Sequence, residues 1–229
     1  MVAEDRGASS SATLRARVQY ETEGLRESEI ADTPLAQLSR WLQQAASAGV
    51  AEPNAMSLAT CGPDGPQVRI VLAKDLLGSG ITFFTNLESA KARDLDESPR
   101  AAAVFAWLPL HRQVRFRGPV VELSRAESGA YFATRPRGSQ IGAWASPQSH
   151  PIATREELLA QVAEIERRFP EESEIPLPDH WGGYRILPIA MEFWQGQPSR
   201  LHDRLRFDAC VDDAQLDDPS GWTLTRLAP

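Results

Sequence analysis

The chain has 229 residues, 42% of them hydrophobic, which supports a real buried core and argues against global disorder. A formal net charge of −7 argues against a general nucleic-acid binder, which needs a broad basic surface, but it leaves room for a local basic pocket. Cys61 and Cys210 lack CxxC spacing and are too few for a zinc site, so they read as reduced thiols of a cytoplasmic protein, and no apolar run is long enough to span a bilayer.

The opening "MVAEDRGASSSATLRARV" lacks the apolar core of a signal peptide. Residues 1–15 are expected to form a disordered tail, and residues 16–229 a single domain. A first helix is well signalled: Thr33 caps it, Pro34 suits its first position and Gly49 ends it. Leu35, Leu38, Trp41, Leu42 and Ala45 give it an apolar stripe. The middle reads as strands joined by turns: "AMSLAT", "VRIVLAKD", "GITFFTN", "AAAVFAW" and "RQVRFRGPVVEL". That spacing suggests an antiparallel barrel or sandwich. One short helix interrupts it, "SAKARDLDES", with Ser89 as its cap. Two helical pieces follow, "SRAESGAYFATRP" and "TREELLAQVAEIERRF", the second with Thr154 and Glu157 in capping-box spacing. The end returns to strands: "GYRILP", "AMEFWQG", "RLHDRLRF" and "WTLTRL".

Four stretches carry candidate chemistry. Read as a strand, "RLHDRLRF" puts Arg200, His202, Arg204 and Arg206 on one face and Leu201, Leu205 and Phe207 on the other. Such a face is either a solvated cationic surface or a seat for a polyanion. Arg69 and Lys74 flank "IVLA" with opposite parity, so a shared site needs a bulge or a strand end between them. In "FFTNLESAKARD" a strand leads through Thr85 into a helix with Lys91 in its first turn, where free N–H groups suit phosphate. "TRPRGSQIGAWASPQSHP" is rich in Arg, Ser and Gln, and is either an ordinary polar loop or a set of hydrogen-bonding groups for phosphate and heterocycle edges. No HExxH, GxSxG, P-loop or GxGxxG is present, so hydrolase, zinc-enzyme, triphosphatase and dinucleotide-binding readings lack support. Scattered anion-binding pieces beside aromatics such as Trp194 and Tyr131 fit a flat phosphorylated cofactor.

In order along the chain, "RIVLAK", "FFTN", "RQV", "RPRGSQIGAWAS", "WGGYR", "EFWQG", "RLHDR" and "RLAP" resemble the pyridoxamine (pyridoxine) 5′-phosphate oxidase family, from about Arg17 to Pro229. The resemblance implies a mainly β fold with flanking helices: a split β-barrel, homodimeric, with FMN sites at the subunit interface. It implies FMN contacts from Arg69, Ile70, Val71, Leu72, Ala73, Lys74, Phe84, Thr85, Lys91, Gln113, Trp194 and Arg204. Gln148 and Ser149 join this set and are expected from the partner chain. It implies substrate contacts from Lys74, Tyr131, Arg135, Ser139, Arg200 and His202, with Arg17 and Tyr20 on an N-terminal segment that closes over the substrate. Arg200 and His202 are the implied catalytic residues, while Arg206 has no assignment. The implied reaction moves a hydride from C4′ of pyridoxamine or pyridoxine 5′-phosphate to the flavin. Molecular oxygen reoxidises the flavin and yields hydrogen peroxide, and the product is pyridoxal 5′-phosphate. One departure stands out: the family often has Arg-Lys where this chain has Ala90-Lys91. Alternatives are a split-barrel flavin oxidase acting on another substrate, such as a phenazine precursor, or a non-catalytic flavin- or pyridoxal-phosphate-binding protein.

Overall fold

Helix α1 (Pro34–Ser47) forms as its caps dictate. Thr33 accepts a hydrogen bond from the Ala36 N–H, and Gly49 takes the left-handed conformation just past the end, at φ +74°. Its stripe of Leu38, Trp41 and Ala45 is buried. This is a computed structural model, and it describes Leu14 and residues 19–229. The tail expected over residues 1–15 (Leu14 apart) and Arg17 lie outside the described residues.

Ten strands follow among the described residues: β1 (Ala55–Gly62), β2 (Gly65–Leu72), β3 (Asp75–Leu77), β4 (Gly80–Asn86), β5 (Arg100–Trp107), β6 (Arg112–Glu122), β7 (Trp181–Ile186), β8 (Ala190–Gln195), β9 (Asp203–Ala209) and β10 (Trp222–Arg226). Between β4 and β5 lies α2 (Ala90–Glu97); between β6 and β7 lie α3 (Arg125–Ala133), α4 (Arg137–Ala145) and α5 (Arg155–Arg168). All pairings are antiparallel, in the order β10-β9-β8-β6-β5-β1-β2, with β7, β4 and β3 branching from β6. The sheet system does not close, and the fold is a split barrel.

The split has a local cause. β6 pairs with β8 over Arg112–Arg117 and with β7 over Val120–Glu122. Gly118 and Pro119 lie at the switch. A Cβ on Gly118 would stand 1.8 Å from the Leu187 carbonyl oxygen, so only glycine lets the crossing backbones approach this closely. Pro119 has no N–H to leave unpaired there.

Period-two burial builds the main core. In β5, Ala101, Ala103, Phe105 and Trp107 face inward; β6, β8 and β9 add Val114, Phe116, Met191, Phe193, Leu205 and Phe207. Fully burying one such large side chain contributes about 1.5–3 kcal/mol. A second cluster, Phe132, Ile141, Ile175 and Trp181, packs the helices against β7. The opposite face of β1, β2 and β5 is small or apolar and open: Ala59 and Ala102 sit there, and Val68 and Ile70 on edge strand β2 are each 71% exposed.

Three expectations need correction. "RLHDRLRF" is a strand only from Asp203. Pro198–Arg200 form a tight helical turn in which Ser199 and Arg200 have φ of +55° and +64°, so Arg200 and His202 lie outside the strand alternation. The polar-loop reading of "TRPRGSQIGAWASPQSHP" fails over Arg137–Ala145, where Ile141 and Ala145, one turn apart, bury a face of α4. Ser89 stands at the start of α2 without a side-chain cap bond; its hydroxyl accepts from Lys91 instead.

Candidate functional site

A cavity of about 720 Å³ opens between the ends of β2 and β4, the start of α2 and the α3–α4 region. Lys91 is at its floor, only 8% exposed. Its ammonium donates to Thr85 Oγ1 (2.9 Å), Ser89 Oγ (3.1 Å) and Gln148 Oε1 (2.8 Å). All three acceptors are neutral, and among the described residues no carboxylate pairs with it. Burial, with the charge of Arg69 second, lowers its pKa from 10.5 to about 8. A buried cation without a counter-ion is costly, so the floor is suited to an anion.

Arg69 is partly neutralised. It donates to Thr60 Oγ1 (2.6 Å) and lies 3.5 Å from Asp94 Oδ2, which itself accepts from Thr60 at 2.6 Å. The parity problem resolves at a strand end: Arg69 is inside β2, Lys74 lies beyond its last residue, and both line the cavity.

The far wall is aromatic. Tyr131 stacks on Phe84 (3.9 Å between centroids, 10° between planes), and Phe84 stacks on Trp181 (5.5 Å, 5°). Arg135 lies over Trp181 at 4.7 Å and over Phe132 at 5.6 Å. Its Nη1 is buried without a hydrogen-bond partner, and burial lowers its pKa. Ser139 follows in the first turn of α4, a helix with no side-chain cap. An unpaired guanidinium nitrogen, a hydroxyl and an uncapped helix start together fit a second anion.

A separate cavity of about 690 Å³ is lined by Tyr20, His111, Gln113, Trp194, Arg200 and His202 among others, and shares no lining residue with the first. Gln113 and Trp194 are cross-strand neighbours. His202 Nδ1 accepts from the Gln197 N–H at 3.1 Å, so in the neutral ring the proton is on Nε2. Burial, with Arg200 second, lowers the His202 pKa and favours that neutral form. Tyr20 stacks on His111 at 4.2 Å and lies 5.8 Å from the His202 ring.

The sequence-predicted residues therefore separate into two groups. Arg69, Ile70, Val71, Leu72, Lys74, Phe84, Thr85, Lys91, Tyr131, Arg135, Ser139, Gln148 and Ser149 meet in the first cavity. Tyr20, Gln113, Trp194, Arg200 and His202 meet in the second. Gln148, expected from the partner chain, bonds Thr85 and Lys91 of its own chain, and Ser149 lines the same cavity. Ala73 lines neither cavity; it is 6% exposed and packs in the core. Arg204 lines neither as well. It donates to Glu192 (2.8 and 3.2 Å) and to the Ala228 carbonyl (2.7 Å), and Arg115 holds the same carboxylate at 2.5 Å. Burial pushes the Glu192 pKa up, but the Arg204 and Arg115 hydrogen bonds outweigh it and hold the carboxyl low. Arg206 pairs with Asp208 at 2.8 Å.

Sequence reasoning missed Trp181 under Arg135, Asp94 and Thr60 behind Arg69, and the Tyr20–His111 stack. Only Trp181 had a signal, as the first residue of "WGGYR". No helix among the described residues is long and apolar enough to cross a membrane.

A split barrel carrying two cation-lined cavities defines a protein suited to anionic ligands. The comparisons agree. Residues 42–169 match the family described as "Pyridoxamine 5′-phosphate oxidase", and residues 181–229 match "Pyridoxine 5′-phosphate oxidase C-terminal dimerisation region". The chain is 50% identical over 214 residues to the pyridoxine/pyridoxamine 5′-phosphate oxidase of Bordetella pertussis, covering 93% of this chain and 97% of that protein. It is 48% identical over 215 residues to the enzyme of that name from Salinibacter ruber, with the same shares covered. Among solved structures it resembles PhzG from Burkholderia lata, in complex with tetrahydrophenazine-1-carboxylic acid (TM-score 0.80, 30% identity, 92% of this chain and 100% of that one). The fold alone is shared with a pyridoxamine 5′-phosphate oxidase-related, FMN binding protein of Nostoc punctiforme (TM-score 0.65, 17% identity, 85% and 96% covered). This chain belongs to the pyridoxamine 5′-phosphate oxidase family.

Proposed function

We propose that this chain is an FMN-dependent oxidase of pyridoxamine and pyridoxine 5′-phosphates, with oxygen as acceptor and pyridoxal 5′-phosphate and hydrogen peroxide as products. The observation that carries the reading is a pair of buried cationic groups, Lys91 and Arg135 Nη1, that have no counter-ion among the described residues and stand at two places in one cavity. Two phosphorylated ligands, cofactor and substrate, would satisfy them.

The residues present fit FMN. Lys91, Thr85, Arg69, Gln148 and Ser149 would hold its phosphate end, and Val71, Leu72 and Phe84 would offer apolar contact. Bound FMN would supply the hydride acceptor and its regeneration by oxygen. The chain supplies position and electrostatics. Arg135 and Ser139 would fix the substrate phosphate, with the Trp181 face keeping the guanidinium desolvated and its charge strong. Arg200 and His202 would close over the substrate ring. His202, held by the Gln197 N–H, presents an Nε2 proton and so would act as a hydrogen-bond donor.

Because Arg200 and His202 lie in the other cavity, a complete site needs a second copy that brings its second cavity to the first. The C-terminal match to a dimerisation region supports this homodimer. The open face of β1, β2 and β5 offers apolar surface for it. We place the enzyme in the cytoplasm, in keeping with two free, exposed cysteines. The test is direct: purify the protein, record its absorption spectrum, release and chromatograph the flavin, and measure oxygen uptake with pyridoxine 5′-phosphate. A colourless protein, FAD in place of FMN, or a yellow protein that consumes no oxygen refutes the reading.

A further inference from the structure

Gln19 and Tyr20 line one side of the second cavity, and residues 19–27, to which they belong, run past the ends of β8, β9 and β10. Leu25 anchors the segment in the main core, at 4% exposure, and polar contacts hold the rest of it. The Thr22 hydroxyl donates to the Gly196 carbonyl (2.7 Å) and accepts from Gln197 Nε2 (2.7 Å). Leu25 N–H donates to Asp203 Oδ2 (3.0 Å). Arg226, in the last strand, binds the segment at two points and its anchor at a third. It donates to the Leu25 carbonyl (2.9 Å), to both oxygens of Glu27 (2.6 and 2.8 Å) and to Asp203 Oδ1 (2.6 Å). Arg226 holds the Glu27 carboxyl down at about 2, so this fork stays ionised across the neutral range. Gly24 at φ +88° turns the chain where a Cβ would meet Asp203 at 3.0 Å and Gln197 at 3.1 Å.

The segment carries Tyr20, which stacks on His111 and faces Trp194 and His202 at 6.2 and 5.8 Å. Gly196 leaves room for that ring, since a Cβ there would lie 2.6 Å from it. Asp203 directly follows His202, and Gln197 bonds both Thr22 and His202. The Arg226 fork is thus joined through short, directed bonds to the residues proposed to face the substrate.

We infer that Arg226 is a positioning residue: its fork on Leu25, Glu27 and Asp203 holds residues 19–27 in place and so sets Tyr20 against the substrate-facing side of the second cavity. Arg226 touches neither substrate nor cofactor. The inference rests on the proposed function for its kinetic arm only.

The experiment compares wild type, Arg226→Ala and Arg226→Lys as flavin-loaded proteins. Arg226→Ala should speed amide exchange across residues 19–27 and raise KM for pyridoxine 5′-phosphate roughly tenfold, several coupled contacts being lost at once. Its kcat and FMN affinity should stay within about twofold. Arg226→Lys, a point charge without the fork, should fall between. In a Tyr20→Ala background, Arg226→Ala should raise KM no further. Unchanged exchange in Arg226→Ala overturns the inference, and so does an undiminished KM effect without Tyr20. If wild type takes up no oxygen with pyridoxine 5′-phosphate, the functional reading fails, and the exchange measurement alone decides whether the fork holds the segment.

Discussion

Lys91 makes the site's charge logic testable at one atom. Its pKa of about 8 lies below the ordinary 10.5, so in the apo-protein the folded state releases a proton the unfolded chain keeps. Between those values apo-protein stability rises with pH, and the gain is lost as pH falls through about 8. FMN binding runs the other way. The phosphate is already a dianion above pH 7, and it favours the charged lysine, so affinity weakens as pH climbs past about 8. Titrating FMN by flavin fluorescence from pH 7 to 9.5 should show this weakening in wild type and not in Lys91→Met. Ala90, which lines the same cavity, offers the converse test. Ala90→Arg should tighten FMN by roughly fivefold, about 1 kcal/mol for one partly exposed charge-assisted contact, and the gain should shrink at high salt. Arg93 does not already fill this role, since it donates to the Glu88 carbonyl and does not line the cavity. Arg200→Ala should leave the protein yellow while kcat/KM for pyridoxine 5′-phosphate falls roughly tenfold to a hundredfold, the worth of one charge-assisted contact.

At the scale of elements, the decisive feature is the switch in β6. Gly118→Ala forces a Cβ against the Leu187 carbonyl and should destabilise the protein by about 1–3 kcal/mol, read as a lower urea midpoint with an unchanged slope. Elements with strong periodicity or caps were legible in the sequence: α1 by Thr33, Pro34 and Gly49, and β5 by its alternation. Helix α4 was not, because two buried residues one turn apart give almost no stripe and Pro136 stands where a capping side chain would announce a start. The alternation of "RLHDRLRF" misled for a physical reason. Leu205 and Phe207 do obey it, but Pro198 starts a turn whose two left-handed residues reset the direction of everything before Asp203. The groups of the first cavity were legible only as scattered motifs. No local pattern tells which chain will supply Gln148, since that depends on how the loop after α4 folds back over Thr85.

For the whole molecule, the proposed function joins two cavities without a common lining residue across a dimer, which would make the assembly part of the chemistry. Dilution that yields monomers should release flavin and abolish oxygen uptake together, because each half alone lacks the contacts of the other. Sedimentation and flavin fluorescence on one dilution series check this, and a monomer that keeps its FMN contradicts it. The buried, unpaired ammonium of Lys91 has a consequence outside catalysis. Without its anion the chain folds around an uncompensated charge, and the ligand stabilises the folded state in proportion to its occupancy. The unfolded fraction is what proteases remove. A cell starved of flavin would therefore lose the protein as well as its activity, and resupplying the vitamin to an extract would restore less turnover than resupplying it to the growing cell.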